Sequence, residues 1–302
     1  MRLVVIWVLG AVFAGQAMAW DPIGHMLVCQ SAYDQLTPAA KTAVERSLEA
    51  FNTKNHTNYT FVTVGCWMDD IRGTHKEYAP WHFIDLPYNR DGEPFPVAWQ
   101  VNALWGIRHC AAIIKGERTD SKVDKDQALV MLMHLVGDIH QPLHTINRDG
   151  DAGGNKVVVP NIEDAMVEAF PNRRNLHYFW DSSYRREMKN GKVVETLAEP
   201  PSLPSDPAKG HANALPLVVE QAARLGKGYQ PEKFPATGTP EEWVRESHAQ
   251  GYDNVYQILP GGDGANPATL DQAYVDNARA LAEQKLVQGG RRLAALLNEL
   301  YK

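Results

Sequence analysis

The chain of 302 residues has only three cysteines, Cys29, Cys66 and Cys110. An odd number allows at most one internal disulfide, so no cysteine framework can hold this fold together. The sequence leaves open whether two of them pair, and a free cysteine is most often a small buried hydrophobic side chain. Cys29 lies four residues after His25 and could share its helical face as a metal ligand, but the buried role is the commoner one.

An excess of positive charge is also missing. Aspartate and glutamate number 36 against 30 lysines and arginines, which gives a formal net charge of −6. This balance excludes a broad basic surface that binds nucleic acid through phosphates alone. If the partner is a nucleic acid, its affinity must come from metal ions and local contacts. No basic amphipathic helix is evident, so we expect no stable association with a membrane.

The sequence has no apolar run long enough to cross a bilayer. The apolar stretch 3–14 falls short of the ~20 residues that a membrane-spanning helix needs. It follows Arg2 and leads to Ala-Met-Ala at 17–19. A positive residue, a short apolar segment and small residues at such a site are typical of a signal peptide that is removed. We therefore predict a signal peptide over residues 1–19 and a mature chain that is secreted or periplasmic.

Internal repeats, low-complexity tails and clear domain boundaries are absent as well, so we expect one domain over 20–302 and a monomer. Capping and proline signals divide this domain into helices. The predicted helices are Ile23–Leu36, one beginning at Thr37-Pro38, Tyr59–Arg72, Val97–Lys115, Asp124–His140, Asn213–Leu225, Pro240–Gln257 and Leu270–Leu300. Segments 80–87 and 198–210 are predicted loops, and Gly153–Val159 is predicted as half of a small hairpin. The expected fold class is all-α with a small β-hairpin.

Histidine and aspartate recur at the spacing of metal ligands. His134 and Asp138 are four residues apart on one predicted helix and project from the same face. His177 and Asp181 repeat this spacing. His144 follows Pro142, which must stop the preceding helix, so His144 can turn back towards Asp138. These positions predict side chains that converge on one region.

The predicted new N-terminus adds a further ligand. Cleavage before Trp20 leaves an α-amine that can chelate a metal in a five-membered ring with its own carbonyl oxygen. His25 lies close enough along the chain to join it. Imidazole and carboxylate together suit Zn²⁺, and one zinc takes three or four protein ligands. The candidates are too many for one ion: Trp20, His25, Asp69, His82, His134, Asp138, His144, His177 and Asp181.

A single His-x-x-x-Asp pair on a helix is usually an incidental polar pair. Two such pairs, a His-Phe-Ile-Asp segment at 82–85 and the cleavage-generated Trp20 in one chain indicate a cluster of two or three metal ions, with a carboxylate shared between them. The other histidines receive ordinary roles. We expect His56, His75, His211 and His248 to face solvent, and His109 and His140 to lie at the surface or beside the site.

Six segments, in this order and at this spacing, resemble the S1/P1 nuclease family, whose members are zinc-dependent nucleases that prefer single strands. The segments are Trp20–His25, Trp67–Arg72, His82–Asp85, His134–His144, Gly153–Lys156 and Leu176–Asp181. The resemblance implies a mainly α-helical, phospholipase C/P1 nuclease-like fold with a cleft for three zinc ions. It covers the chain from Trp20 to about Asp181, and the remainder matches only as helical sequence. The disulfides of the fungal members have no counterpart here.

The resemblance also implies how the nine candidates divide between the three zinc ions. Asp69, His82, His134 and Asp138 would hold one ion. His144, His177 and Asp181 would hold a second, more open ion. Trp20, His25 and Asp138 would hold the third, so that Asp138 bridges two ions and counts among the catalytic residues.

Four further residues receive substrate or catalytic roles from the resemblance. Phe83 would stack on a base, and Asp85 would lie near the base or the attacking water. Arg72 would bind phosphate, and Asn155 would contact the substrate. The implied reaction is hydrolysis of phosphodiester bonds in single-stranded DNA or RNA to 5′-phosphate products, with removal of 3′-phosphates from nucleotides as a related activity.

Two other functions stay open from the sequence. A zinc-dependent phospholipase C uses a similar trinuclear site and N-terminal tryptophan, but it would need an apolar rim that faces a membrane. A noncatalytic exported zinc-binding protein would have closed metal sites, whereas catalytic zinc keeps an open position. Turnover of single-stranded nucleic acid compared with phosphatidylcholine separates the three. The preference between RNA and DNA is not determined by these residues.

Overall fold

The computed structural model describes residues 20–92, 100–197, 206–229 and 236–302. Within these ranges the chain is predominantly helical with a few short strands, which confirms the all-α class with a small hairpin. The predicted signal peptide over 1–19 lies outside the described residues. So do 97–99 at the start of one predicted helix and 198–205 of one predicted loop.

The helices follow one another along most of the described chain. The α-helices are α1 (Pro22–Tyr33), α2 (Pro38–Asn55), α3 (Trp67–Asp70), α4 (Ala103–Ile114), α5 (Lys125–Asp138), α6 (Ala165–Ala169), α7 (Leu176–Asp181), α8 (Pro207–Ala212), α9 (Leu215–Gly228), α10 (Pro240–Gln250) and α11 (Gln272–Leu300). Shorter 3-10 turns lie at Thr63–Cys66, Lys76–His82, Pro142–His144, Pro171–Arg173 and Ser183–Arg185, and a π-helical turn lies at Gly251–Tyr256. Helix α8 overlaps the end of the segment 198–210 that was predicted as a loop, so that prediction is wrong over 207–210.

Two short pairs of strands accompany the helices. β1 (Leu86–Pro87) and β2 (Ile146–Asn147) pair in parallel, with Leu86 opposite Ile146. β3 (Arg186–Lys189) and β4 (Lys192–Glu195) form an antiparallel hairpin. The parallel pair continues a backbone bond from the Ile84 N–H to the His144 carbonyl at 2.8 Å. It therefore fixes the segment after His82 against the segment after His144.

Polar caps begin the helices where the sequence predicts them. The Thr37 side chain accepts from the Ala40 N–H with Pro38 in the first turn of α2, which confirms the predicted start. Asp21 caps α1 and Asp124 caps α5 in the same way. Helix α5 ends at Asp138, shortly before Pro142, as proline requires. The caps fix which residues of α1 and α5 face inwards.

Two buried hydrophobic clusters share the last helix. The larger cluster contains side chains of α1, α2, α4, α5 and α9, and the smaller one is built around 143–193 and 255–281. Helix α11 supplies Tyr274 to the smaller cluster and Leu293 to the larger one. Whether the whole of 20–302 is one domain stays a prediction. In the described part of the chain, no helix is long and apolar enough to cross a membrane.

The predicted helix Tyr59–Arg72 is wrong in its first half. A 3-10 turn at Thr63–Cys66 precedes the short α3. The Thr60 and Thr63 side chains bond to each other's backbone N–H groups at 3.2 and 2.9 Å. Such local bonds offer the backbone an alternative to the helix, and β-branched residues weaken the helix further.

The predicted strand Gly153–Val159 is also wrong. Gly153 and Gly154 have positive φ angles, and Val158 makes only an isolated bridge to Asn175. The hairpin lies instead at 186–195, where Asn190 and Gly191 both have positive φ. Asn-Gly between short β-prone runs is the residue pair that favours a tight hairpin turn. This signal was present in the sequence and was missed.

Several histidine predictions need correction. His248 was expected to face solvent but is buried, and its Nε2 bonds to the Pro87 carbonyl at 3.0 Å. His109 is buried and stacks on Trp105, and His140 is fully buried, so neither lies at the surface. His211 is partly buried against Asp70. These side chains satisfy one ring nitrogen with a carbonyl or carboxylate, which is how a buried histidine is tolerated.

His56 and His75 are exposed, as expected. The three cysteines form no disulfide and are buried, so the disulfide question is answered and each thiol occupies the position of a small buried side chain. Burial raises the pKa of the Cys29 thiol to about 12. Cys29 is absent from the groups of potential metal ligands that the described residues form.

The contact between α1 and α11 makes a prediction about stability. A Cβ at Gly290 would lie 2.5 Å from the Ser31 Cβ and 2.9 Å from the Val28 carbonyl oxygen. Gly290→Ala should therefore destabilise the protein by about 1–3 kcal/mol, as overpacking does. Gly226→Ala in α9 is the matched control because nothing lies within 4 Å of its Cβ. Thermal unfolding should show a lower midpoint for the first variant only, and equal midpoints would contradict the close packing.

Candidate metal centre

The nine candidate ligands come from six separate segments. Trp20 precedes α1, and His25 lies on its first turn. Asp69 lies on α3, and His82 ends a 3-10 turn. The other five lie on α5, on the turn after Pro142 and on α7: His134, Asp138, His144, His177 and Asp181. Only the packing of these segments on one another can bring the nine together.

Among the described residues, three groups have ligand atoms within 4.8 Å of one another: His25 with His134 and Asp138, Asp69 with His82 and His134, and His144 with His177 and Asp181. The third group consists of the same three residues that the resemblance assigns to the second zinc ion. The first two share His134, and Asp138 lies against both. The structure therefore places the predicted ligands together, while their roles as ligands stay a prediction.

The pair His144 and His177 shows why a cation fits. The Nδ1–H of His144 donates to the His82 carbonyl at 2.6 Å, and that of His177 donates to the Gly153 carbonyl at 2.6 Å. Carbonyl oxygens only accept, so both neutral rings carry a lone pair on Nε2. These two Nε2 atoms face each other at 3.1 Å. Two ligands of one tetrahedral zinc lie about 3.3 Å apart, given Zn–N bonds of ~2.05 Å.

The same argument applies around Asp138. The Nδ1–H of His134 donates to the Gly65 carbonyl at 2.6 Å, which leaves its Nε2 to face His82 Nδ1 at 3.0 Å and Asp138 Oδ2 at 3.3 Å. Asp138 Oδ1 lies 3.4 Å from His25 Nε2. The two carboxylate oxygens therefore face different histidines, which is the arrangement that a bridging ligand needs.

Buried polar atoms without partners concentrate at this place. Both ring nitrogens of His25, Oδ1 of Asp69 and Oδ1 of Asp138 have no hydrogen-bond partner in the described part of the chain. An unsatisfied buried polar atom costs about 1–3 kcal/mol. A cation shared between these atoms would satisfy them together, so the donor set fits zinc.

The electrostatics of the groups follow from burial and mutual charge. Burial and, to a lesser extent, the neighbouring His134 lower the pKa of His25 to about 3. Burial opposes the charged form of Asp138, but His134 and His82 outweigh it and hold its pKa well below the usual range. Burial raises the pKa of Asp181 well above its usual range, although Gln141 donates to it. Although burial opposes it, Asp138 and Asp69 raise the pKa of His134 to about 9. A metal ion binds imidazoles and carboxylates that carry no proton, so its binding would displace the protons that His134 and Asp181 favour here.

Trp20 lies between two of these groups. Its side chain is fully buried, and its indole N–H donates to the Gly137 carbonyl at 3.0 Å, beside Asp138. The next backbone N–H, that of Asp21, donates to the Asp181 carbonyl at 3.0 Å. The indole of Trp20 is therefore held beside the end of α5 and the Trp20–Asp21 peptide beside the end of α7, and the role of Trp20 as a ligand stays a prediction.

Arg72 borders the metal groups and is mostly buried. Its Nη1 lies 3.6 Å from Asp69 Oδ1, and neither Nε nor Nη1 has a hydrogen-bond partner among the described residues. A buried guanidinium with free donors suits an anionic group such as a phosphate. The prediction for Arg72 is therefore physically reasonable.

Phe83, Asp85 and Asn155 lie on chain segments that carry or contact predicted ligands, namely the segment after His82 and the segment of Gly153, whose carbonyl accepts from His177. Phe83 follows His82 directly and is partly exposed. Asp85 is exposed, and desolvation together with Asp151 raises the pKa of its carboxyl. The Asn155 side-chain N–H donates to the Ala152 carbonyl at 2.7 Å, which leaves its amide oxygen for other contacts. Their roles towards a substrate stay predictions.

Sequence reasoning missed two groups that support this centre. Gln141 is fully buried and donates to Asp181 Oδ1 at 2.7 Å, so it orients a predicted ligand. Its position between His140 and Pro142 was the available signal, but a glutamine there was not singled out. Asp21, which contacts Tyr184 and Arg185, was also missed because these partners are more than 160 residues away.

Comparison with known proteins shows one family. The family model described as S1/P1 Nuclease matches residues 20–302. Endonuclease 2 of Arabidopsis thaliana is 26% identical over the whole chain and 96% of its own length. Nuclease S1 of Aspergillus oryzae (strain ATCC 42149 / RIB 40) is 24% identical over 98% of the chain and 97% of its own length. Nuclease P1 of Penicillium citrinum is 25% identical over 93% of the chain and 98% of its own length.

The position of Asp138 between the groups predicts the effect of its loss. Asp138→Asn keeps the shape but removes the charge, so it should remove more zinc than any other single ligand substitution. Asp126→Asn, on the first turn of the same helix and bonded to the Ser47 hydroxyl, should keep its zinc. Metal analysis of the purified variants measures this. Full zinc content in Asp138→Asn would contradict the cluster.

Proposed function

Since the chain belongs to the S1/P1 nuclease family and is a hydrolase of phosphodiester bonds, we propose that it is a zinc-dependent endonuclease for single-stranded DNA and RNA. We propose three zinc ions per chain, 5′-phosphate products and a related 3′-nucleotidase activity. The single observation that supports this most is the convergence of three His/Asp groups next to the mostly buried guanidinium of Arg72, whose Nε and Nη1 have no hydrogen-bond partner among the described residues. Predicted metal ligands and a cation suited to phosphate then lie side by side.

The ligands divide between the ions as the distances suggest. Asp69, His82 and His134 lie around one position, with Asp138 Oδ2 within 3.1 Å of His82 Nδ1. His144, His177 and Asp181 surround a second. His25 and Asp138 Oδ1, together with the main chain of Trp20, would hold the third. Zinc, when bound, supplies a Lewis acid that lowers the pKa of water towards neutrality and stabilises negative charge on a phosphate.

The chain's own side chains would bind and orient the substrate. Arg72 would hold a non-bridging phosphate oxygen and stabilise the charge that develops during hydrolysis. Phe83 would stack on an unpaired base, and this explains a preference for single strands because a duplex hides the face of each base. Asp85 and Asn155 would accept or donate hydrogen bonds beside that base, and Asp85 would alternatively receive a proton from the attacking water.

Parallel assays on the mature chain distinguish this function from the two alternatives. Single-stranded DNA and RNA should be cleaved faster than duplex DNA, and a chelator should abolish cleavage until zinc is restored. Phosphatidylcholine should remain intact under the same conditions. Turnover of the lipid alone would favour a phospholipase C. Bound zinc without turnover of either substrate would favour a noncatalytic zinc-binding protein.

Phe83 makes a prediction about binding. Phe83→Ala should weaken binding of single strands by about 1–3 kcal/mol, the usual contribution of one base stacked on an aromatic ring. Zinc content should not change, because Phe83 is not among the predicted ligands. Phe170→Ala, at an exposed aromatic residue, is the control and should bind normally. Fluorescence titration with a labelled oligonucleotide measures the affinity, and equal affinities for all three proteins would place the base elsewhere.

We further propose that the protein is exported and that its signal peptide is removed before Trp20, so that it acts in the periplasm or outside the cell. The family match beginning at residue 20 supports this start. A chain that carries an extra methionine before Trp20 has an amide nitrogen in place of the amine. It should therefore bind less zinc and be much less active. Removing a cleavable tag to leave Trp20 should restore both, and full activity with the tag present would exclude Trp20 as a ligand.

A further inference from the structure

Asp21 is a junction between three parts of the predicted metal centre. Its backbone N–H donates to the Asp181 carbonyl at 3.0 Å, and its carbonyl accepts from the His25 N–H at 3.1 Å. Its side chain caps α1 through the Gly24 N–H at 2.9 Å. One residue therefore connects Trp20, the helix that carries His25, and the end of the helix that carries Asp181.

A buried pair of side chains holds this junction in place. The Tyr184 hydroxyl donates to Asp21 Oδ1 at 2.6 Å, and Arg185 Nε donates to Asp21 Oδ2 at 2.5 Å. Asp21, Tyr184 and Arg185 are all buried. Arg185 is in turn anchored by the Leu197 carbonyl at 2.7 Å and by Glu195 at 2.9 Å. Both oxygens of the Asp21 carboxylate are thus held, Oδ1 by Tyr184 together with the Gly24 N–H and Oδ2 by Arg185.

The orientation of the Trp20 carbonyl follows from this arrangement. A trans peptide unit is planar, and its C=O and N–H point in opposite directions. The N–H of the Trp20–Asp21 peptide is directed at the Asp181 carbonyl, so the direction of the Trp20 carbonyl is set as well. Loss of the Asp21 anchor would free this peptide unit and the first turn of α1 together.

We propose that Asp21, held by Tyr184 and Arg185, is a positioning residue that fixes Trp20 and His25 as ligands of one zinc ion. This rests on the proposed function, since it assumes that the two residues bind zinc. The role differs from ordinary stabilisation because the contacts of Asp21 lead directly to segments that carry predicted ligands. Residues that orient metal ligands typically change metal affinity by about 10–100-fold when they are substituted.

Two variants separate the buried ion pair from the helix cap. Asp21→Asn keeps a side chain that caps a helix well but loses the charge that Arg185 neutralises. Arg185→Gln removes the positive charge of the same ion pair, and Arg185→Lys keeps that charge but loses the Nε donor. Arg186→Gln is the matched control because Arg186 is equally buried. Its Nη2 bonds to Asp164 at 2.9 Å, which caps α6, and its Nε bonds to the Ser182 hydroxyl at 2.7 Å, so these bonds lead away from residues 20–26.

The measurements are zinc affinity by chelator competition and hydrogen exchange of the backbone amides from 20 to 26. Asp21→Asn and Arg185→Gln should hold one zinc ion about tenfold or more weakly, and their amides should exchange faster. Arg185→Lys should lie between them and the wild type. Arg186→Gln should lower the unfolding midpoint but keep wild-type zinc affinity and exchange over 20–26.

Unchanged zinc affinity and exchange in Asp21→Asn and Arg185→Gln would overturn the proposal. So would an equal loss of zinc in Arg186→Gln, because the effect would then be general destabilisation. A wild-type protein that binds no zinc would contradict the proposed function instead. The hydrogen-exchange comparison would still decide whether the Asp21 anchor holds residues 20–26, because it does not depend on zinc.

Discussion

The fully buried carboxylate of Asp138 is the group on which the arrangement of the centre depends. It lies at the end of α5, whose residues from Ala128 onwards are all buried, and histidines of three different segments surround it. An ionised carboxylate in such a place is strongly unfavourable unless positive charge compensates it. His134, which is anchored through Nδ1 to the Gly65 carbonyl, meets part of this requirement because, despite its burial, Asp138 and Asp69 raise its pKa to about 9. His25 and His82 face the carboxylate from two other segments. A bound cation would then interact with the buried polar atoms of His25, Asp69 and Asp138 that have no hydrogen-bond partner in the described part of the chain.

The surrounding fold serves to hold these donors at fixed positions. The parallel pair β1–β2 places the segment after His82 beside the segment after His144. Gly65 and Gly153 supply carbonyls that orient His134 and His177. The Gly153 position tolerates no side chain, because a Cβ would lie 2.4 Å from the Leu143 carbonyl oxygen. Glycine at these two positions lets the backbone carbonyl approach the imidazole closely. Segments outside the long helices therefore contribute to the centre together with the helices.

Arg72 and the Asp21 anchor show how charge is divided between substrate and structure. Arg72 has free donors beside Asp69 and is available to an anion. Arg185, by contrast, is committed to Asp21, Glu195 and the Leu197 carbonyl. Both guanidinium groups are mostly buried, but only the first borders the metal groups with unpartnered nitrogens. Under the two proposals, the same side-chain chemistry would serve phosphate binding in one place and ligand positioning in the other.

The sequence by itself determined the helical class, the caps at Thr37 and Asp124, and the nine candidate ligands, because these depend on local backbone preferences and on residue types at helical spacing. The Asn190-Gly191 pair is an equally local signal for a hairpin turn, and it was overlooked. Gly153–Val159 was assigned to a strand, although its glycines adopt positive φ angles. Only the tertiary structure decided which histidines face each other, that His140 and His248 are buried, and that Asp21 meets Arg185. Such contacts join residues far apart along the chain, and their energy depends on burial and distance, which no local pattern contains.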